Sequence, residues 1–378
     1  MENDWSSYNH TYQSSRSDIE LLKGEVGKRF PFYDMKYNDQ TVAFFCRINE
    51  DTLEDNFDDL RLSLSKKGYI PLLRYVKGEY TIYVIRKGDK KEKPIIVNIA
   101  LLVAVFITTT LTGSILHQGY NDLWTLPNIM DVLNPTHLSY GFFLFALPLL
   151  SILFIHEMGH YFISKKHGIP TSLPFFIPIP PIIPTFNIGT FGALISSREP
   201  MPHRKALLDI GIAGPLAGFV VAVPVTVIGI LLSEPGVITE LGPGEVVLGG
   251  SILFTALSTL LLDIPLGTPI NLSLVAFAGW IGLLITSINL LPAGQLDGGH
   301  IFRAFLGEKQ KWAGWIAIII MIFTGWFFFA LIIMFMMGMQ HPPPLNDATP
   351  LDMNRKLLFF VALLILIVCY IPYPIAVV

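Results

Sequence analysis

Cysteine is nearly absent from this sequence. The 378 residues contain two, Cys46 and Cys369, in regions of very different composition. This scarcity argues against a disulfide framework and against a zinc site built from cysteines. Charge is scarce as well, since Asp, Glu, Lys and Arg make up 15% of the residues and the formal net charge is -3. With only short basic clusters, the sequence shows no nucleic-acid-binding surface, and no nucleic-acid partner is expected.

The charged residues are distributed unevenly along the chain. Of the 55, 32 lie in the first 93 positions, whereas 52% of the whole sequence is hydrophobic and its mean hydropathy is +0.54. This asymmetry predicts a soluble domain over 1–93 and a transmembrane domain over 94–378, and it excludes a disordered tail protein and a purely soluble enzyme. The sequence starts with polar residues and lacks an apolar signal segment, so the soluble domain is expected to stay in the cytoplasm.

The soluble part has the pattern of a small α+β domain. Apolar residues at helical spacing predict a helix over 51–67, and a second helix is expected at about 18–27. Strands are predicted at 41–47, Tyr69 to Val76 and Glu79 to Arg86, the last two joined by a Lys-Gly hairpin turn. No residues in this part have metal-ligand or nucleophile spacing, which favours a regulatory or docking module.

The remainder has the pattern of a multi-pass α-helical membrane protein with about six spans. Apolar runs occur at about 95–115, 139–165, 205–232, 272–293, 312–339 and 355–376. A shorter run at 246–262, rich in Gly, Ser and Thr, is interpreted as a re-entrant or peripheral segment. Basic residues before the first span, at Lys165 and Lys166, and at Lys309 and Lys311 predict the cytoplasmic side. On this topology, the loop that starts at His341 lies on the opposite side from the soluble domain.

The strongest chemical signal is His-Glu-Met-Gly-His at 156–160, within the second apolar run. Two histidines four residues apart on a helix lie on one face and can bind one zinc ion, with Glu157 beside it to accept a proton from water. The pattern also occurs by chance as a pair of surface histidines. Here that alternative is costly, because each ionisable side chain inside a span costs at least about 2.5 kcal/mol unless it has a partner or a watery cavity.

A catalytic zinc site needs a third protein ligand. Asp297, Asp263 and His300 are the candidates within the apolar region, while three further residues lie nearer to basic loops: Asp209, His203 and His167. Asp297 is favoured because Pro292 and Gly294 break the preceding span at a depth that matches the paired histidines. Such a break is tolerated in a membrane only where protein or water surrounds it.

These two motifs together resemble the site-2 protease family of intramembrane zinc metalloproteases. The family pairs His-Glu-x-x-His with Asn-x-x-Pro-x-x-x-x-Asp-Gly, and this chain carries Asn-Leu-Leu-Pro-Ala-Gly-Gln-Leu-Asp-Gly at 289–298. The resemblance covers about 139–310. It implies one catalytic Zn²⁺ bound by His156, His160 and Asp297, with Glu157 as the base. It also implies that Asn289 hydrogen-bonds substrate or an oxyanion, the alternative being a hydrogen bond between helices.

Two further segments have patterns that bear on function. The proline-rich, apolar stretch 170–184 cannot form a regular helix, and 186–196 is predicted to form short strands with glycine turns. We interpret them as a re-entrant loop that pairs with an unwound substrate strand, the alternative being an ordinary interfacial loop. The glycines at 211, 214 and 218 favour close helix packing.

The sequence therefore predicts an intramembrane zinc metalloendopeptidase that cleaves transmembrane segments of other proteins by attack of a water molecule bound to zinc. The expected location is the cell membrane, with the active site towards the cytoplasm, and the expected partners are a transmembrane protein substrate and lipid. A zinc-binding membrane scaffold or sensor is the alternative, and it would not need Glu157. A metal transporter would need ionisable residues at several depths, whereas here they are concentrated at one level.

Overall fold

A computed structural model describes residues 16–38, 40–76, 78–88, 94–118, 128–181, 188–197, 199–236, 246–337 and 341–377. The chain divides into two compact units. Unit 1 combines Met1–Glu92 with two short segments from later in the chain, Arg198–Leu207 and Pro342–Asp352. Unit 2 contains the rest, Lys93–Ser197, Leu208–His341 and Met353–Val378. The division predicted at 93/94 did not include the two later segments of unit 1.

Unit 1 contains a four-stranded antiparallel sheet and two helices. The strands are β1 (Phe32–Tyr37), β2 (Thr41–Cys46), β3 (Tyr69–Val76) and β4 (Glu79–Arg86), in the order β1-β2-β4-β3. The helices are α1 (Arg16–Gly27) and α2 (Leu53–Lys66), the second preceded by a 3₁₀ turn at Glu50–Thr52. The apolar face of α2 places Phe57, Leu60 and Leu64 in a core with Phe44 and Leu73 of the sheet. Strand β1 was not predicted, because its central residues are mostly exposed and lack an apolar alternation.

The two later segments extend this sheet beyond β3. The amide of Leu73 donates to the carbonyl of Leu345 (2.8 Å), and the amides of Leu345 and Asn346 donate to the carbonyls of Met201 and Pro202 (both 2.8 Å). The loop after His341 is therefore part of the unit that contains the N-terminal domain. The prediction that it lies on the opposite side was wrong.

Among the described residues, three helices are long and apolar enough to cross a membrane. These are α3 (Ile95–His117), the continuous helix Pro135–Lys166, and α7 (Arg204–Leu231). The second consists of α5 (Pro135–Tyr140), a π-helical stretch (Gly141–Ala146) and α6 (Leu147–Lys166). A four-residue helix, α4 (Ile129–Val132), precedes it. Three helices of spanning length thus support the prediction of a multi-pass membrane protein. The remaining apolar runs form shorter helices.

These shorter helices are α8 (Ile252–Leu262), α9 (Leu274–Asn289), α10 (Asp297–Leu306), α11 (Gln310–Ile322), α12 (Phe327–Ile332) and α13 (Met353–Cys369). A 3₁₀ turn (Gly307–Lys309) precedes α11, and a π-helical stretch (Ile333–Met337) follows α12. The 11 residues of α8 extend about 16 Å, about half the thickness of a hydrocarbon core.

The apolar run 312–339 was predicted to be one span, and this was wrong. It forms α11 and α12, which a turn at 323–326 separates. At the turn, the amide of Gly325 donates to the carbonyl of Pro372 (2.9 Å). At the other end, the side chain of Gln310 accepts from the amide of His341 (3.1 Å), so the chain returns to the end at which it entered. Hydropathy alone does not distinguish one long helix from two short ones in a hairpin.

The proline-rich segment forms a β-hairpin in its described part. Strand β5 (Phe175–Pro178) pairs antiparallel with β6 (Thr190–Leu194), and an isolated bridge between Thr171 and Ser197 continues the pairing. Residues 182–187, part of the predicted loop, lie outside the described residues. Four short strands complete unit 2: β7 (Glu234–Pro235), β8 (Val246–Leu248), β9 (Ile270–Asn271) and β10 (Ile375–Val377), paired as β7 with β9 and β8 with β10.

Glu25 of α1 makes the stability of unit 1 dependent on pH. Its side chain is 8% exposed and contacts three cations, Lys67 (2.8 Å), Lys28 and Arg29 (both 3.0 Å). Hydrogen bonds from Lys67, Ser63 and Lys28 hold the pKa of Glu25 well below its usual value, although burial acts in the opposite direction. A carboxylate with a lowered pKa in the folded state stabilises fully above about pH 5, and this contribution is lost as the pH falls.

We therefore expect Glu25→Gln to destabilise unit 1 by about 2 kcal/mol at pH 7 and by progressively less as the pH falls below about 5. Glu20→Gln is the matched control, because Glu20 is 71% exposed and pairs with Lys23 on the surface. Amide hydrogen exchange of α1 and α2 in the full chain, corrected for the intrinsic rate at each pH, measures the difference. An effect of Glu25→Gln that stays constant from pH 7 to pH 3 would contradict this account.

Candidate metal centre

Three side chains converge inside unit 2. The Nε2 atoms of His156 and His160 lie 3.2 Å apart, and each lies 3.3 Å from Oδ2 of Asp297. Their side chains are between 5% and 16% exposed. Within the described ranges, this is the one group of at least three His, Cys, Asp or Glu side chains that could hold a metal ion.

The triangle fits a tetrahedral zinc ion in size and in chemistry. Ligand atoms at about 2.0–2.1 Å from a tetrahedral zinc lie about 3.3–3.4 Å from each other, close to the three observed distances. Without a cation between them, the lone pairs of two unprotonated imidazole nitrogens 3.2 Å apart would repel each other. A cation at the centre satisfies both nitrogens and the carboxylate, and three protein ligands leave one tetrahedral position open.

The orientation of His160 is fixed by the neighbouring helix α7. Its Nδ1 lies 2.8 Å from the carbonyl oxygen of Ile210. Because a carbonyl only accepts, Nδ1 carries the proton and Nε2 presents its lone pair towards His156 and Asp297. Hydrogen bonds of this kind hold the tautomer and ring orientation of metal-binding histidines.

Glycines let α7 approach α6 closely enough for this contact. A Cβ atom on Gly214 would overlap Nε2 of His160, and one on Gly218 would lie 3.1 Å from Cβ of His156. On α6 itself, a Cβ on Gly159 would lie 2.5 Å from the carbonyl oxygen of Ala213. The glycine spacing predicted close packing, and the structure shows that the packed surface includes the two histidine rings.

Asp297 reaches the histidines because the chain breaks before it. After α9 ends at Asn289, residues 290–296 form irregular turns, and Asp297 is the first residue of α10. Gln310, 1% exposed, donates from its amide nitrogen to the carbonyl of Pro292 (2.9 Å). A buried glutamine thus pairs a backbone carbonyl that the proline-containing turn exposes. The position at the start of a helix also favours the negative charge of Asp297.

Glu157 and Asn289 border the triangle. Glu157 follows His156 on α6 and precedes His160 by three residues, so it shares a helix face with His160. It is half-buried. The amide nitrogen of Asn289 lies 3.5 Å from Nε2 of His156, which places this side chain at the edge of the cluster.

The other candidate ligands lie elsewhere. His300 contacts His341, with ring centroids 4.4 Å apart, and His167 pairs with Asp209 (2.9 Å), which also binds Arg355. His203 lies 3.7 Å from Asp58 in unit 1. Asp263 is the C-cap residue that follows α8. The structure therefore brings together the three residues favoured by sequence and none of these alternatives.

Three parts of the site were not predicted from the sequence. Gln310 lies between Lys309 and Lys311, a pattern typical of a basic loop. The Ile210 carbonyl has no sequence signal, because it is a backbone atom. Gly214 belongs to the predicted glycine pattern, but no local pattern specifies its neighbour across the helix contact. The one available signal was an uncharged polar residue, Gln310, two positions before an apolar run.

The comparisons with known proteins place this site in a family. Residues 144–333, half of the chain, match the model of Peptidase family M50. The chain is 32% identical to the probable zinc metalloprotease EGY2, chloroplastic, of Arabidopsis thaliana, over 61% of this chain and 42% of that protein. It is 29% identical to the probable zinc metalloprotease EGY1, chloroplastic, of the same plant, over 62% of this chain and 44% of that protein. No solved structure matches.

Spanning apolar helices and a buried His-His-Asp cluster define a membrane protein with a candidate intramembrane metal centre. The matched segment contains all three residues of that cluster. The chain belongs to peptidase family M50, which confirms the resemblance to the site-2 proteases. It spans less than half the length of the two curated relatives described above.

The contact between Gly214 and His160 predicts how the centre responds to one added methyl group. Gly214→Ala is expected to displace the His160 ring and to lower bound zinc at least tenfold, although alanine is the better helix former. Gly218→Ala, whose Cβ would lie 3.1 Å from Cβ and 3.2 Å from Nδ1 of His156, is the graded comparison and should lower bound zinc less than Gly214→Ala. Zinc per purified protein, measured by mass spectrometry, compares the two. Equal zinc contents would contradict the described helix contact.

Proposed function

We propose that this chain is an intramembrane zinc endopeptidase that hydrolyses peptide bonds in membrane-spanning segments of other proteins. The observation that carries the proposal is the triangle of His156, His160 and Asp297, which has zinc dimensions and whose two histidines lie in a helix of high hydropathy. Membership of a peptidase family and two relatives named probable zinc metalloproteases support it.

Each residue of the cluster has a role in this proposal. His156, His160 and Asp297 hold one Zn²⁺, which when bound acidifies water and polarises the substrate carbonyl. Glu157 accepts the proton of the attacking water and transfers it to the leaving amide nitrogen. Asn289 donates a hydrogen bond to the carbonyl oxygen as negative charge develops on it.

The hairpin β5–β6 is proposed to receive the substrate. A helical segment hides its amide bonds, so it must unwind before cleavage, and its backbone groups then need partners within the membrane. Strand β6 pairs with β5 on one side and has no strand partner on its other edge among the described residues. Its Phe191 and Leu194 are 80% and 64% exposed, so they can pack against the side chains of a strand that pairs with this edge. Phe154, two residues before His156, stacks on Phe176 of β5 with centroids 6.4 Å apart.

We further propose that the active site and the N-terminal domain lie on the cytoplasmic side of a cell membrane. Lys165 and Lys166 end α6 directly after the zinc-binding motif, and Lys309 and Lys311 flank the start of α11. An excess of basic residues marks the cytoplasmic ends of spans. The two relatives described above carry the word chloroplastic in their names.

Glu157→Gln tests the catalytic role directly. The purified variant is expected to retain zinc but to cleave a single-span substrate in detergent about 10²–10⁴ times more slowly, because proton transfer is lost. Glu308→Gln, which removes a carboxylate outside the cluster, is the control and should cleave normally. Full activity of Glu157→Gln would overturn the proposed base. If the natural protein and both variants bind zinc and none cleaves any of a panel of spans, the scaffold alternative is favoured.

Asn289→Leu separates substrate binding from helix packing. If Asn289 stabilises developing charge, kcat falls about 10²-fold while zinc content is retained. If it serves only as a hydrogen bond between helices, the melting temperature falls and kcat is unchanged. Asn271→Leu, at an exposed position in β9, is the control for the change of residue type. Kinetics, zinc content and thermal stability are measured on the same preparations.

A further inference from the structure

The first span, α3, precedes the segment that matches the family, yet two of its polar side chains contact the hairpin. Asn98 is 7% exposed, and its amide nitrogen donates to the carbonyls of Leu173 (2.8 Å) and Pro174 (3.0 Å), directly before β5. These carbonyls belong to a non-helical chain next to a membrane span, where unpaired backbone groups are costly. One asparagine thus satisfies two consecutive carbonyls.

The second contact lies near the other end of the hairpin. The hydroxyl of Thr108 lies 2.7 Å from the carbonyl oxygen of Gly189, the residue before β6. It is also within reach of the carbonyls of Ala104 (3.1 Å) and Val105 (3.2 Å) in its own helix. The hydroxyl has a single proton, and the Gly189 carbonyl is the nearest of the three acceptors.

Gly189 itself fits closely against the same helix. Its φ of +83° lies in the left-handed region, and a Cβ there would be 2.5 Å from Cα of Thr109. A side chain is therefore excluded by the backbone conformation and by the neighbouring helix. The amide of Ile179 donates to the carbonyl of Gly189 (3.0 Å), so this carbonyl joins both strands of the hairpin to α3.

The spacing of the two contacts matches the length of the hairpin. Asn98 and Thr108 are ten residues apart, which is about 15 Å along a helix. From Pro174 to Ile179, the partner of Gly189, the chain advances five residues, which is about 16 Å in an extended strand. One straight helix can therefore hold both ends of β5 at once, and this fixes the strand along its length rather than at one point.

We propose that α3 positions the substrate-binding hairpin, with Asn98 and Thr108 as positioning residues that set the register of β6 relative to the zinc-binding helix. The inference rests on the proposed role of β6 as the partner of the substrate strand. A shift of this strand would present a different substrate bond to the cluster, because side chains and hydrogen bonds repeat every two residues along a strand. The span outside the family match thereby contributes to where the substrate is cut.

The test uses the zinc-loaded full chain in detergent and four variants. Asn98→Leu removes both donated bonds, and Thr108→Val removes the hydroxyl at nearly constant volume. Thr108→Ser keeps the hydroxyl and is expected to restore natural behaviour. Thr112→Val is the matched control, because the Thr112 hydroxyl donates to the carbonyl of Thr108 within α3 (3.0 Å) and not to the hairpin.

The first measurement is amide hydrogen exchange of the hairpin without substrate. At about 0.6 kcal/mol for each hydrogen bond within a membrane, exchange should rise about threefold in Thr108→Val and about eightfold in Asn98→Leu. Thr108→Ser and Thr112→Val should match the natural chain. Hairpin exchange in Thr108→Val and Asn98→Leu that equals the rate in Thr112→Val would overturn the inference.

The second measurement is the position of the cut in a single-span substrate, mapped by mass spectrometry. Asn98→Leu and Thr108→Val should spread cleavage over neighbouring peptide bonds and raise KM, with zinc content unchanged. A role confined to stability would lower the amount of folded protein and leave the cut in place, and that result would overturn the positioning role. If no form of the protein cuts, the proposed function fails, while the exchange rates still decide whether α3 holds the hairpin.

Discussion

Backbone N–H and C=O groups in an apolar environment must find partners within the protein, and the rest of this structure depends on how that requirement is met. A regular helix meets it without help. Two segments near the candidate site, however, are irregular: the turn that brings Asp297 to the histidines, and the hairpin beside α6. Polar side chains stabilise both. Gln310 pairs the carbonyl of Pro292, while Asn98 pairs the carbonyls directly before β5 and Thr108 pairs the carbonyl directly before β6.

Close helix contact is the second requirement, and it links packing to chemistry. The rings of His156 and His160 occupy space that side chains would fill at Gly218 and Gly214 of α7. The same approach brings the carbonyl of Ile210 within 2.8 Å of Nδ1 of His160 and so sets the tautomer of that ring. The glycines of α7 do more than allow the helices to associate. They also let a backbone carbonyl orient a metal-binding side chain.

Unit 1 shows how segments distant in sequence become one sheet. The edge of β3 is extended by 345–346, a few residues before α13, and then by 201–203, directly before α7. Glu199 anchors one of these segments. Burial raises the pKa of Glu199, but hydrogen bonds from Lys87 and Ser65 outweigh it and hold the pKa below its usual value. The N-terminal domain was expected to be a separate module. It is instead hydrogen-bonded to two segments from later in the chain.

The local elements and the composition of the site follow from the order of the amino acids alone. Helix α2 and strands β3 and β4 follow from short patterns of neighbouring residues, and the three long spans follow from continuous apolar runs. The spacing of His156 and His160 places them on one helix face. Strand β1 was missed because exposure removed its alternation. Which acidic residue meets the histidines, that 312–339 turns back, and that α3 holds the hairpin depend on tertiary contacts. Those contacts join residues between 31 and 141 positions apart, and their free energy depends on helix packing, which no local pattern of side chains encodes.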